Sequence, residues 1–209
     1  PGRKPHYSKG PGWNSQSEIE SEAMFASVDV FRSARPLLAL ILLIAAASAI
    51  AEVRDPGKYF FDPTFGDFQD ELGRAKEQGK KGILIMFEMD ECPFCHRMKT
   101  TVLNQSAIQD YFKKNFLIFP VDIEGDVEIT DFHGNSIAQK DFALKEFRVR
   151  ATPVFAFFDL EGNLVARYTG ATRDAKEFLW LGEYVVDGAY RTTSFTRYKR
   201  DREQAAGQG

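Results

Sequence analysis

The chain has only two cysteines, and they form the single tetrad Cys92-Pro93-Phe94-Cys95. The tetrad follows the apolar run Ile83-Leu84-Ile85-Met86-Phe87 and precedes a stretch with helical spacing, so both thiols are expected at a strand-to-helix turn. A thiol at a helix start lies at the positive end of the helix dipole, which favours the thiolate, the reactive form. A second thiol three residues on can close a disulfide with the first. Reversible two-electron thiol chemistry is therefore the first reading. A structural staple is a poorer one, because a loop of two intervening residues restricts the unfolded chain very little.

Other chemistries share these side chains. With His96 the run becomes Cys92-Pro93-Phe94-Cys95-His96, which satisfies the attachment pattern of c-type haem. Zinc would need a ligand beyond Cys92, Cys95 and His96, and His133 is the only other histidine after residue 51. His133 sits in a turn-like stretch. Neither a metal nor another cofactor is expected, because a haem needs an enclosing helical architecture and the pattern around the tetrad is that of a sheet.

Apolar spacing alternates between helix and strand on both sides of the thiols. Residues 65–78 place Phe65, Phe68, Leu72 and Ala75 at helical intervals, and Gly79-Lys80-Lys81-Gly82 ends that helix. Residues 83–88 are apolar on both faces, as in a central strand covered on each side. Pro93 suits the first position of a helix opened by Cys92, with Phe94, Met98 and Val102 as its stripe up to Asn104. Ser106 and Gln109 have capping-box spacing for a second short helix carrying Ile108, Tyr111 and Phe112. A strand over 116–123, a hairpin over 127–137 around Asp131-Phe132-His133-Gly134, and a helix over 139–147 with Phe142, Leu144 and Phe147 come next. A strand over 153–159, a turn at Leu160-Glu161-Gly162-Asn163, a strand over 164–168 and a helix from about 173 to 190 complete the order. This order predicts an α/β sheet with helices on both faces.

Residues 24–51 read as a secretory signal. Arg32 and Arg35 precede an uncharged run from Leu37 to Ile50, and Ala49-Ile50-Ala51 fits small-x-small cleavage after Ala51. A membrane anchor is the alternative, but the apolar run is shorter than the roughly 20 residues that span a bilayer. Residues 1–23, rich in glycine and proline near their start and without apolar periodicity, are expected to be an unstructured upstream segment. The remaining chain is enough for one domain with a single core, here placed at residues 52–197, with 198–209 as a polar, frayed tail. Past Ala51 the chain carries 22 basic against 26 acidic side chains and no basic stripe, which argues against nucleic acid as a partner.

Strand, CxxC, helix, and then Thr152-Pro153 opening a later strand together resemble the thioredoxin superfamily over roughly residues 59–190. Within it the chain is most similar to SoxW-type periplasmic thioredoxins. The residues that carry this are Phe87-Glu88 before the tetrad, Thr130-Asp131-Phe132-His133-Gly134, Ala151-Thr152-Pro153, Phe158-Asp159-Leu160-Glu161-Gly162, and Glu183-Tyr184-Val185-Val186-Asp187-Gly188-Ala189-Tyr190. The resemblance implies an α/β thioredoxin fold: a central mixed sheet, helices on both faces, and a hairpin insertion before the cis-proline strand. It implies that Cys92 is the exposed nucleophile, Cys95 the resolving thiol, and Thr152-Pro153 a cis peptide whose edge backbone docks substrate.

The chain departs from the usual thioredoxin pattern at two places. Met86 stands where a buried aspartate is common six residues before the first cysteine, and Pro93-Phe94 replaces Gly-Pro. Glu88, on the same strand face as Met86, is a candidate replacement base; a strand-end carboxylate reaching water is the other reading. Asp90 and Glu91 oppose the helix dipole at Cys92. The expected function is periplasmic disulfide reduction on protein disulfide substrates, among them sulfur-oxidation (Sox) proteins, recharged by a membrane thiol-disulfide transporter. A thiol oxidase or isomerase of the same fold is the alternative, since the motif does not give the direction of electron flow.

Overall fold

The computed structural model describes residues 52–207. The expected signal segment 24–51 and the residues before it lie outside the described part. In chain order the elements are α1 (Pro56–Tyr59), α2 (Phe68–Glu77), β1 (Gly82–Glu88), α3 (Pro93–Thr101), α4 (Ser106–Asn115), β2 (Phe116–Asp122) and the hairpin β3 (Glu128–Thr130) and β4 (Ser136–Ala138). Then come α5 (Gln139–Asp141), continued by a π-helical turn (Phe142–Glu146), β5 (Val154–Phe158), β6 (Leu164–Thr169), α6 (Ala175–Val186), a 3-10 turn (Ala189–Arg191) and α7 (Phe195–Ala206).

The main sheet has the order β2-β1-β5-β6. β2 runs parallel to β1, with Glu88 opposite Asp122, and β5 runs antiparallel to it, with Phe87 opposite Val154. β1 is thus an inner strand, and its residues 82–87 are buried. Alternation along the strands feeds two cores. Leu84, Met86, Ile118, Phe155 and Phe157 pack with α3, α4 and α6, whereas Ile83, Ile85, Phe87, Phe119 and Phe158 pack with α2 and the π turn. Phenylalanine fills both, and Phe112 stacks on Phe178 with ring centroids 4.4 Å apart. Gly82 has a steric reason, since a Cβ there would overlap the carbonyl oxygen of Phe158.

Several local expectations are corrected. The first long helix starts at Phe68, because Asp67 caps it by accepting from the backbone N–H groups of Gln69 and Asp70; Phe65 stays outside it and is fully exposed. Ser106 and Gln109 form no capping box. Gln105 occupies the N-cap without a side-chain bond, and the buried Gln109 amide donates to the carbonyls of Leu103 and Arg54. The π turn shifts the helical phase, so Phe142 is buried but Leu144 is half exposed.

The largest correction is at the C-terminus, where residues 198–206 of the expected frayed tail belong to helix α7. α6 ends at Val186, and Gly188 at φ 70° reverses the chain, a conformation glycine adopts without a Cβ penalty. Ser194 then caps α7. Phe195 and Tyr198 pack on Tyr184 with centroids 5.5 and 5.4 Å away, and Lys199 reaches the buried Glu177 carboxylate at 2.6 Å. A second ion pair joins Arg202 to Glu183. Among the described residues no helix is long and apolar enough to cross a membrane.

Candidate active site

Cys92 is the N-cap of α3. Its backbone is extended, Pro93 takes the first helical position, and Cys92 Sγ accepts a hydrogen bond from the Cys95 N–H at 3.0 Å. The two sulfurs are joined as a disulfide, with Cα atoms 5.2 Å apart. Both side chains lie in the core formed with Met86 and Met98, and Cys92 is only 5 % exposed against 3 % for Cys95. The expected exposure of Cys92 is thus not seen in this oxidised state, because its sulfur is turned into the helix cap and toward its partner. The group that projects is Phe94, 59 % exposed. His96, Asp90 and Glu91 are also exposed.

The Thr152–Pro153 peptide bond is cis. Since Val154 pairs with Phe87, this bond lies at the end of the sheet where β1 runs into the dithiol turn. A third segment, after β6, closes around the same end. Gly170 donates its N–H to the Pro153 carbonyl at 2.8 Å, and Arg97, two residues past Cys95, donates to the Thr172 carbonyl at 2.9 Å. Thr172 is fully buried, and its hydroxyl lies 3.6 Å from Met98 Sδ. Sequence reading missed Gly170, Thr172 and Arg97; the glycine directly after a strand was the one available signal.

Glu88 lies at the end of β1, two residues beyond Met86 and therefore on the same face. Its side chain is 16 % exposed, and one carboxylate oxygen is 2.6 Å from the Lys99 ammonium. That oxygen is buried and makes no well-directed hydrogen bond, so the ion pair is its partner. Lys99 also lies over the Phe61 ring, 5.8 Å from its centroid. The pair forms part of the wall of an open cavity of about 800 Å³ lined also by Asp62, Thr64, Pro120 and Gln139. Among the described residues no group of three or more His, Cys, Asp or Glu side chains is placed to hold a metal ion. His133 sits in the β3–β4 turn, its N–H donating to Asp131.

The family model of a thioredoxin-like domain matches residues 68–186, more than half of the chain and the whole span from α2 through α6. The chain belongs to the thioredoxin-like domain family. The four-stranded mixed sheet with helices on both faces is the thioredoxin fold. A thioredoxin-fold protein from Helicobacter pylori is similar at 22 % identity, over 61 % of this chain and 87 % of that one, with a TM-score of 0.50. A putative disulphide-isomerase from Bacteroides thetaiotaomicron is 26 % identical over 61 % of this chain and 95 % of its own, with a TM-score of 0.45. A thioredoxin from Thermus thermophilus is 21 % identical over 65 % and 88 %, with a TM-score of 0.46. No curated protein matches the sequence. In this thioredoxin-like frame the disulfide, Thr152-Pro153 and Gly170 share one end of the sheet; a disulfide so placed can be opened by an incoming thiolate, and the dithiol it becomes can attack an incoming disulfide.

Proposed function

We propose that this thioredoxin-like protein is a thiol-disulfide oxidoreductase acting as a disulfide reductase on exported proteins. The observation that carries the reading is the Cys92–Cys95 disulfide at the N-terminus of α3. In the reduced protein the Cys92 thiolate attacks one sulfur of a substrate disulfide, forming a Cys92–substrate mixed disulfide and releasing the other substrate sulfur as a thiolate. Cys95, having lost its proton, then attacks Cys92 Sγ, re-forming the internal disulfide and expelling the second substrate thiolate. Two electrons pass to the substrate, and two protons leave both of its sulfurs as thiols. Glu88 is the base assigned to Cys95, and the backbone at Thr152 is the edge on which an extended substrate segment pairs.

A periplasmic location is supported by the signal-like segment 24–51, and service to sulfur-oxidation proteins, with a membrane thiol transporter as electron donor, by the SoxW-like residues. Oxidase or isomerase function uses the same two sulfurs in another direction, whereas haem attachment would consume the sulfurs that are here joined to each other. The deciding experiment is the dithiol reduction potential together with turnover of insulin. A value near about −270 mV fits a reductant, and one near about −120 mV would replace the reductase with an oxidase.

A further inference from the structure

The segment that delivers Pro153 to the dithiol end is built to show two arginines. Val149 is buried in the core of α2 and the π turn, while Arg148 and Arg150 on either side of it are exposed. Neither has a carboxylate within salt-bridge distance among the described residues. The segment is tied on both sides: the Val149 N–H donates to the Ala143 carbonyl at 2.9 Å, and Arg167 on β6 donates to the Phe147 carbonyl at 2.6 Å. Arg97 adds a third exposed guanidinium at this end of the sheet, held by the Thr172 carbonyl.

Arg148 is also the only non-glycine residue at positive φ among the described residues, at φ 52°. It ends the π turn, with its N–H donating to the Leu144 carbonyl, at a position where glycine is the unstrained choice. A long cationic side chain in a left-handed position costs stability that glycine would not. The guanidinium itself is exposed and without an acidic partner among the described residues, and so can meet one from outside the chain.

We infer that Arg148 and Arg150 form a recognition surface for acidic residues flanking the target disulfide. The inference rests on the oxidoreductase reading and names its substrate class: disulfide-bearing segments with Asp or Glu beside the cysteines. Guanidinium groups pair with carboxylates in a forked, two-bond geometry, and charge complementarity raises the encounter rate as well as the affinity. Asp90 and Glu91, exposed and directly before Cys92 in sequence, disfavour acidic groups beside that cysteine, so the preference is assigned to the arginines at 148 and 150.

The test uses the reduced protein with three fluorogenic disulfide peptides that differ only in flanking residues: two Glu, two Lys, or two Ser. At low salt kcat/KM for the acidic peptide is expected to exceed that for the basic one roughly tenfold, and the gap to close near about 0.5 M salt. In the double variant Arg148→Gly, Arg150→Gln the gap disappears while turnover of the Ser-flanked peptide stays unchanged. Arg148→Gly is expected to keep or raise the melting temperature, which separates lost recognition from lost folding. Equal rates for acidic and basic peptides in the parent, or a preference that survives the double variant, overturn the inference. Anisotropy with the same peptides carrying Ser for Cys reads the surface without any turnover. If no peptide is reduced, the oxidoreductase reading fails, and the anisotropy order still decides the arginine surface.

Discussion

Glu88 at the end of β1 and Lys99 in the last turn of α3 form an ion pair 2.6 Å long, joining the strand that precedes the dithiol to the helix that begins with it. The carboxylate thus has a fixed partner on the dithiol helix and lies on the face of Met86, which packs with both cysteines. We propose that this carboxylate is the base of the resolving step. Glu88→Gln is expected to slow resolution of a Cys92 mixed disulfide by about tenfold or more, with the first attack by Cys92 nearly unchanged. Stopped-flow kinetics across about pH 6–8 separate the two steps; resolution equal to the parent throughout would remove Glu88 from the mechanism.

The two sulfurs differ in what surrounds them once reduced. Cys92 keeps the N-cap position and the helix dipole, whereas Cys95 stays inside the first turn. Cys92 should therefore alkylate first in the reduced protein. Cys95→Ser should abolish insulin reduction while accumulating mixed disulfides at Cys92 that mass spectrometry can identify. Equal alkylation rates, or normal turnover by the Ser variant, would contradict the assigned roles.

Glu177 anchors α7 and gives the fold an acid-sensitive joint. Burial alone would push its carboxyl up, but Lys199 at 2.6 Å and the Arg173 N–H at 2.8 Å outweigh this and hold it below the ordinary glutamate value of 4.5. A lowered folded-state pKa contributes stability that is complete above that ordinary value and is lost as pH falls through the folded one. Glu177→Gln should cost about 2 kcal/mol at neutral pH, since a buried charge-assisted bond is removed. The melting temperature would then drop by roughly 4–8 °C, with a shallower loss of stability below the ordinary carboxylate range. An unchanged acid limb in the variant would show that Glu177 is not the joint.

Two helical glycines predict opposite outcomes for one substitution. Gly73 in α2 has open space where a Cβ would go, so Gly73→Ala should stabilise by about 1 kcal/mol through helix propensity. At Gly182 in α6 the same Cβ would stand 2.7 Å from Phe112 Cζ, and that ring is buried and stacked on Phe178. Overpacking there should outweigh the propensity gain, leaving Gly182→Ala about 1 kcal/mol less stable. Chemical denaturation measures both, and stabilisation by Gly182→Ala would mean that α4 and α6 can part at little cost.

What the sequence determined by itself was whatever local pattern controls: a dithiol at a strand end, Pro93 opening a helix, an inner strand apolar on both faces, and the turns at Asp131 and Asp159 whose side chains accept from N–H groups two and four residues on. Only the tertiary structure decided the rest. Residues 198–206 read as solvated because they are polar, yet they are helical because Tyr184, Glu177 and Glu183, distant in sequence, supply the stacking and ion pairs. Glu88 was visible as a carboxylate, but its partner Lys99 was not. The burial of Cys92, the outward turn of Phe65 and the left-handed backbone of Arg148 likewise follow from packing. Periodicity reports which face of an element is apolar, whereas contacts across elements fix which polar group meets which and which backbone is bent to allow it.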